Sequence, residues 1–301
     1  MAVGKKITDL TASGSLKDTD LAIVHDGNGT KRSTFTQLSE YIGTKFSNPN
    51  LLINPDFKIN QRGQESYTVG GFEYTVDRWR ISSCTVSVSD NGLTIQNVGS
   101  SGSWITQKFE KELDGVFTLS IKVSSISGRV SLTNSDNRVN ITSVGIYSVT
   151  LSNISEFNVF VETGSTVTFE WAKLEKGSIA TPFVAPDPAN ELAKCRRFAF
   201  LLDIDSLVCT LTENSCFIQN YTDIIMRTNP TVRVINGSSE NLIVRESMNS
   251  IGTKNLGKPI SFEGRSNGRI VRVTIQGSNN SFTTMTTHDG ISLLLLDAEI
   301  Y

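Results

Sequence analysis

The 301 residues suffice for two or three domains and carry a formal charge of −2 at neutral pH, which leaves no basic footprint for nucleic acid or an anionic membrane. Hydrophobic residues make up 38 %, with 23 glycines and abundant Ser, Thr and Asn, a composition suited to short strands and turns. The longest aliphatic run, Leu293 to Leu296, is far short of a membrane span, so neither nucleic-acid binding nor membrane insertion is expected.

Behind Lys5 and Lys6 no apolar stretch of secretory length follows, from which synthesis in a cytoplasm is expected. Asp20–His25 reads as a strand, Asp26-Gly27-Asn28-Gly29 as a turn tolerant of positive φ, and Thr30–Thr34 as the returning partner, together a β-hairpin. Thr36 then precedes Leu38, Tyr41, Ile42 and Phe46, a helical spacing. A hairpin and one helix bury too little apolar surface to be stable alone. Copies of the same segment or a docking partner should therefore stabilise it.

Ser47-Asn48-Pro49 breaks the chain, and Asn50–Phe57 opens a second module. Tyr74, Val76, Trp79 and Ile81 alternate roughly, and further strands are predicted at 86–88, 93–98, 104–109, 116–123, 130–132, 146–151, 157–161 and 167–174. So many short strands without intervening helices predict a β-sandwich, with a jelly roll as the first choice. Val167, Phe169, Trp171 and Leu174 give the last strand one apolar face, and Gly177 ends it. Pro182, Pro186 and Pro188 then bar regular pairing. Asp187 at an N-cap with Pro188 behind it predicts a short helix, with Leu192, Cys195 and Phe198 along one face. Beyond it, alternation at 208–211, 217–219, 232–235, 242–244, 270–275 and 291–296 predicts a second, smaller sandwich. The chain is thus expected to be mainly β: an amino-terminal hairpin plus helix over 1–47, a central jelly-roll sandwich over 48–184, a hinge helix over 185–205 and a carboxyl-terminal β-sandwich tip over 206–301.

Asn50-Leu-Leu-Ile-Asn-Pro-Asp-Phe57, Gln61-Arg-Gly63, Tyr74-Thr-Val-Asp-Arg-Trp79, the run from Phe169 to Phe183 and Glu191–Phe198 occur in an order that resembles the carbohydrate-binding-module-like jelly roll of bacteriophage tail fibre and receptor-binding proteins. Lys6–Thr11, Asp18–Val24 and the Asp26-Gly27 turn resemble the piece that attaches such fibres to a virion. Met226–Val232 and Asp297–Ile300 resemble a fibre's tip. The resemblance implies a homotrimeric structural protein of a virion appendage, made in the host cytoplasm. It would be joined to tail, baseplate or collar proteins by its amino end, and would bind a host cell-surface polysaccharide without catalysis. Two alternatives stay open: a sugar-binding module of a secreted glycan-active enzyme, and a purely architectural collar or baseplate decoration.

Related jelly rolls that hold calcium often place a carboxylate directly after the opening Asp-Phe; here Lys58 stands there, offering no oxygen ligand. No metal or cofactor is expected. Cys84, Cys195, Cys209 and Cys216 show no metal-ligand rhythm and read as buried reduced thiols. Sugar binding asks for an exposed aromatic ring with polar groups beside it. Of the three tryptophans, Trp79 and Trp171 sit among alternating apolar neighbours and are expected in the core, whereas Trp104, at the start of a strand behind Gly99–Ser103, reads either as a ring overhanging a groove or as core. In the last module Arg227 and Arg272, with Tyr221, could grip acidic sugars or teichoic phosphates, or could simply be solvated. Trp104, Tyr221, Arg227 and Arg272 are the candidate ligand-binding residues, and Leu192, Cys195 and Phe198 the candidate trimer contacts on the hinge helix. No catalytic residues are assigned. The chain shows no internal repeat, no recognisable carboxylate pair, no nucleophile elbow and no phosphate loop, with His25 and His288 its only histidines.

Overall fold

The computed structural model describes residues 15, 17–25, 27–43, 45–133, 138–203, 208–212, 215–221, 226–228, 231–234, 243–245, 253–255, 259–264, 270–276, 286–287 and 293–299. The chain divides into two compact units, residues 1–49 with 179–184, and residues 50–178 with 185–301.

In the first unit, β1 (Leu21–His25) and β2 (Thr30–Thr34) form an antiparallel hairpin, and α1 (Phe35–Gly43) follows at once. The helix starts on a reciprocal cap. Gln37 N–H donates to Thr34 Oγ1 at 3.1 Å, and Thr34 N–H donates to Gln37 Oε1 at 3.0 Å. The cap is therefore Thr34, and the helix begins at Phe35. None of the described residues from 17 to 49 is buried, and Ile23, Tyr41 and Phe46 are largely exposed.

The second unit opens with an irregular segment and then the strands β3 (Ser66–Tyr74), β4 (Arg80–Ser89), β5 (Gly92–Gln96), β6 (Ser103–Ser127), β7 (Val130–Thr133), β8 (Arg138–Ile141), β9 (Gly145–Val161) and β10 (Thr166–Lys176). They hydrogen-bond in the order β3-β4-β5-β10-β6-β9-β7-β8, with a further β4–β6 pairing. That extra pairing closes two layers. The first half of β6 lies between β4 and the second half of β9, while its second half lies between β10 and the first half of β9. Four predicted strands thus become two long ones. Residues 104–109 and 116–123 belong to β6, and 146–151 and 157–161 to β9, because the ladder shifts register between Lys108 and Val116 instead of ending. Leu52, Phe57, Trp79, Ile81, Ile95, Ile105, Leu119, Phe157, Val159, Phe169 and Leu174 are among the side chains that fill the space between the layers. Trp79 packs against Phe57 at 4.8 Å and edge-on to Phe157 at 5.6 Å, and donates its indole N–H to Asn54 O at 2.7 Å.

Trp171, expected in this core, is only half-buried. A register shift between Phe169 and Trp171 changes the phase of β10, so Val167, Phe169, Ala172 and Leu174 point inward and Trp171 points outward.

After β10 the chain reaches α2 (Pro188–Arg196). Asp187 is its N-cap, accepting Asn190 N–H at 2.9 Å, with Pro188 in the first turn, as the sequence predicts. Helix does not extend over the whole of 185–205, because Ala199–Asp203 is a strand, β11. The remaining strands are β12 (Val208–Thr212), β13 (Ser215–Tyr221), β14 (Thr231–Val234), β15 (Ile243–Arg245), β16 (Thr253–Asn255), β17 (Pro259–Gly264), β18 (Ile270–Gln276), β19 (Thr286–Thr287) and β20 (Leu293–Asp297). They form sheets ordered β11-β20-β14, β12-β13-β18-β17 and β16-β15-β19. The chain is mainly β, a small hairpin plus helix followed by a sandwich-like core, in agreement with the composition.

Candidate functional site

In an antiparallel ladder, directly opposed residues share a face. Trp104 on β6 opposes Phe160 on β9, Phe160 opposes Ser131 on β7, and Ser131 opposes Asn140 on β8. One step along, Arg80 on β4 opposes Thr106, which opposes Asn158. The neighbours Ile81, Ile105, Leu132, Val159 and Val161 are buried in the core, so the two rows point away from it. The outer layer therefore carries a band of residues running across the strands.

Trp104 and Phe160 are both half-buried and stack with ring centroids 4.8 Å apart and a 55° tilt. Their supports are local. Trp104 N–H donates to Ser82 Oγ at 2.9 Å, and Asn97 fixes the loop before β6 by donating to Ser101 O and Val161 O, each at 3.0 Å. Phe160 lies against Gly102, where an added Cβ would fall 2.1 Å from its Cζ; only glycine leaves the ring its place. At one end of the band Arg138 donates Nε–H to Ser131 Oγ at 2.9 Å, pairs with Glu162 at 3.4 Å and lies 5.8 Å from the Phe160 ring. At the other, the Arg80 guanidinium sits 4.5 Å over the exposed Phe72, and Phe72 opposes Ser82. Glu156 accepts Asn158 Nδ2–H at 3.1 Å. Aromatic faces with amides and guanidinium groups beside them can receive the apolar face of a sugar ring and bond its hydroxyls.

The other polar constellation is buried. Arg78, at φ 71°, donates its backbone N–H to Glu299 Oε1 at 3.0 Å and its Nη1–H to Glu299 Oε2, lies 3.7 Å over the Phe198 ring, and donates Nη2–H to Lys108 O at 2.7 Å. Arg62 reaches Asp77 and Asp297, each at 3.4 Å, and Glu299 at 3.9 Å. Glu191 of α2 accepts Asn54 N–H at 2.6 Å and Lys194 Nζ–H at 2.9 Å. Burial alone would lower the Arg62 guanidinium, but facing Asp77, Glu299 and Asp297 it is held above its usual range. Burial pushes Asp77 up to about 6 against the pull of Arg62 and the hydrogen bonds from Gln61. This network joins α2 and the 297–299 segment to the sandwich.

Of the residues singled out in sequence, Trp104 stands on the outer band. Arg227 lies in the junction: its guanidinium donates to Ala298 O at 3.0 Å and Glu299 O at 3.2 Å. Tyr221 ends β13 and Arg272 lies on the paired strand β18, with side chains outside the described residues. On the hinge helix, Cys195 and the following Phe198 are buried within this chain, with Phe198 beneath Arg78, while Leu192 is half-buried. The helix is thus stabilised by its own chain, and Cys195 and Phe198 present no surface to a second copy. Burial pushes the Cys195 thiol far up and the Cys84 thiol up to about 11, in line with unreactive core thiols. Cys209 and Cys216 have side chains outside the described residues. Lys58 is exposed and lies 3.7 Å from Asp56. Among the described residues no group of three or more His, Cys, Asp or Glu side chains is arranged to hold a metal ion, and no helix is long and apolar enough to cross a membrane.

Sequence reasoning missed Phe72, Arg80, Arg138, Asn140, Asn158 and Phe160. Their signal is cross-strand pairing, which joins positions far apart in sequence and becomes readable only once β6 is known to face both β4 and β9.

No protein-family description matches this chain, and no curated protein matches it in sequence. Solved structures similar to parts of it include a carbohydrate-binding module, TmCBM61, in complex with β-1,4-galactotriose (17 % identity, TM-score 0.28, covering 43 % of this chain and 99 % of the module). Another is a Paenibacillus sp. cycloisomaltooligosaccharide glucanotransferase complexed with cycloisomaltoheptaose (9 % identity, TM-score 0.23, 81 % of this chain and 47 % of that one). A third is a chain of Sulfolobus Turreted Icosahedral Virus (13 % identity, TM-score 0.16, 70 % of this chain and 59 % of that one). None superposes closely enough to bear on what this chain binds.

Proposed function

We propose that this chain is a non-catalytic, glycan-binding structural protein of a phage tail fibre or a related appendage. The amino-terminal unit attaches it to the particle, and the outer band around Trp104 and Phe160 receives a host cell-surface polysaccharide. The observation that carries the reading is the stacked Trp104–Phe160 pair. Two large rings are held outside a core that has its own aromatic cluster, on the outer layer, with amides and guanidinium groups around them. An aromatic pair of this kind is costly to leave in water and well suited to a sugar face. The attachment role is supported by a folded hairpin and helix without one buried described residue and with Leu21, Ile23, Tyr41, Ile42 and Phe46 exposed, a surface that association with other copies or with a particle protein would cover. Homotrimerisation through this unit, with Leu192 as a second contact, is part of the same proposal.

The test compares glycan-array binding and blocking of phage adsorption by the full chain and by Trp104→Ala. The variant should bind about tenfold or more weakly, the range of aromatic hot spots, with its melting temperature little changed. Absence of glycan binding and of blocking by the unaltered chain would overturn the receptor role and favour the architectural reading. Light scattering tests the assembly: a monomer at micromolar concentration would refute the trimer.

A further inference from the structure

The Arg80 side chain makes no hydrogen bond or ion pair with any described residue, and its Nε is buried without a partner. It differs in this from Arg138, which has Glu162, Ser131 and Asn140 as partners. Phe72 lies beneath its guanidinium at 4.5 Å and strips water from one side. In the same row, past Thr106, the buried Oδ1 of Asn158 also lacks a partner. A half-buried guanidinium without an anion is electrostatically unsatisfied. Arg80 is one strand spacing from β6 and two residues along from Trp104, so roughly 5 Å across and 7 Å along the layer separate their backbones. That is within the span of one or two sugar residues.

We propose that the outer band is built for an acidic glycan, whose carboxylate or phosphate is received by Arg80 while the neighbouring sugar ring lies on Trp104 and Phe160. This rests on the glycan-binding reading and adds the charge class of the ligand. The guanidinium fork presents parallel N–H donors to either oxyanion. Phe72 keeps it partly dry, which strengthens the pairing relative to an arginine free in water. The requirement for both a ring and an anion selects against neutral polymers as well as against simple salts.

The full chain, Arg80→Gln, Arg80→Lys and Trp104→Ala are compared on an array that pairs uronic-acid glycans and teichoic-type phosphate glycans with neutral counterparts. Thermal unfolding confirms that each variant is folded. The expected result is binding to acidic members, lost about tenfold or more in Arg80→Gln, partly retained in Arg80→Lys and weakened by added salt. Signals on uronates alone or phosphates alone name the source of the oxyanion. Equal binding to neutral counterparts, unchanged in Arg80→Gln but lost in Trp104→Ala, overturns the acidic preference and leaves glycan binding standing. Silence across the whole array overturns both.

Discussion

Replacing Glu299 by Ala should destabilise the second unit by about 3–5 kcal/mol, the usual cost of removing one partner of a buried ion pair. Arg78 is 2 % and Glu299 3 % exposed, so neither charge is hydrated when its partner is lost. Glu299 supplies acceptors to both the backbone N–H and the Nη1–H of Arg78. After truncation, Arg78 keeps Lys108 O and the Phe198 ring, which together provide no formal negative charge. The 297–299 segment also loses one of its two carboxylate anchors to the sandwich, keeping Asp297 on Arg62, while Arg227 grips only main-chain oxygens there. Urea unfolding followed by tryptophan fluorescence reports the change, because Trp79 is fully buried and directly follows Arg78 in the chain. With a slope of about 3 kcal/mol per molar urea, the midpoint should fall by roughly 1 M or more. Replacing both partners, Arg78→Met with Glu299→Leu, should recover most of the loss, because no uncompensated charge remains. A single-variant effect below about 1 kcal/mol would show that solvent reaches Arg78 and would refute the junction as described.

Asp77 is protonated in both folded and unfolded chains below its ordinary value of 3.8, and between there and about 6 only the folded chain keeps the proton. Stability should therefore fall as pH rises through that window, by on the order of 3 kcal/mol, and then stay level. Urea titrations at several pH values should show this decline in the unaltered chain and not in Asp77→Asn; parallel profiles would refute it. Asp187→Ala removes the N-cap of α2 and should cost about 1 kcal/mol, a drop of roughly 2–4 °C in melting temperature, read by calorimetry. Trp79→Ala should cost about 3–5 kcal/mol, while Trp104→Ala changes stability far less; equal losses would place Trp104 in the core.

Local chemistry was legible in sequence and long-range pairing was not. The hairpin turn, the Asp187 cap and most strand positions follow from residue types a few positions apart, where periodicity and capping act. The merging of 104–109 with 116–123 was hidden because Glu110-Lys-Glu-Leu-Asp-Gly115 has the composition of a turn, yet its backbone stays extended through shifts of register. Trp171 was misplaced for the same reason, since one bulge reverses every inward position after it. Trp104 was legible as a ring at a strand's edge, but Phe160 was not, because nothing in the sequence reports that Gly102 leaves room for it.

Several of the phrases that carry the sequence resemblance supply residues to one place. Asn54 comes from the opening motif, Arg62 from Gln61-Arg-Gly63, Asp77 and Arg78 from the next motif, Glu191 and Phe198 from the hinge, Arg227 and Glu299 from the last two. All of them belong to the buried junction that joins α2 and the 297–299 segment to the sandwich. Such a junction constrains residue identity severely, because each buried polar group must find its partner or the unit is destabilised. Phe72, Arg80, Trp104, Arg138, Asn140, Asn158 and Phe160 belong to none of those phrases. The outer band rests on alternation alone, which fixes where its side chains point and leaves their chemistry free to change. Chains sharing the junction can therefore share the architecture and still differ in ligand, so the resemblance speaks for the way this chain is assembled, and the band around Trp104 must be read on its own residues.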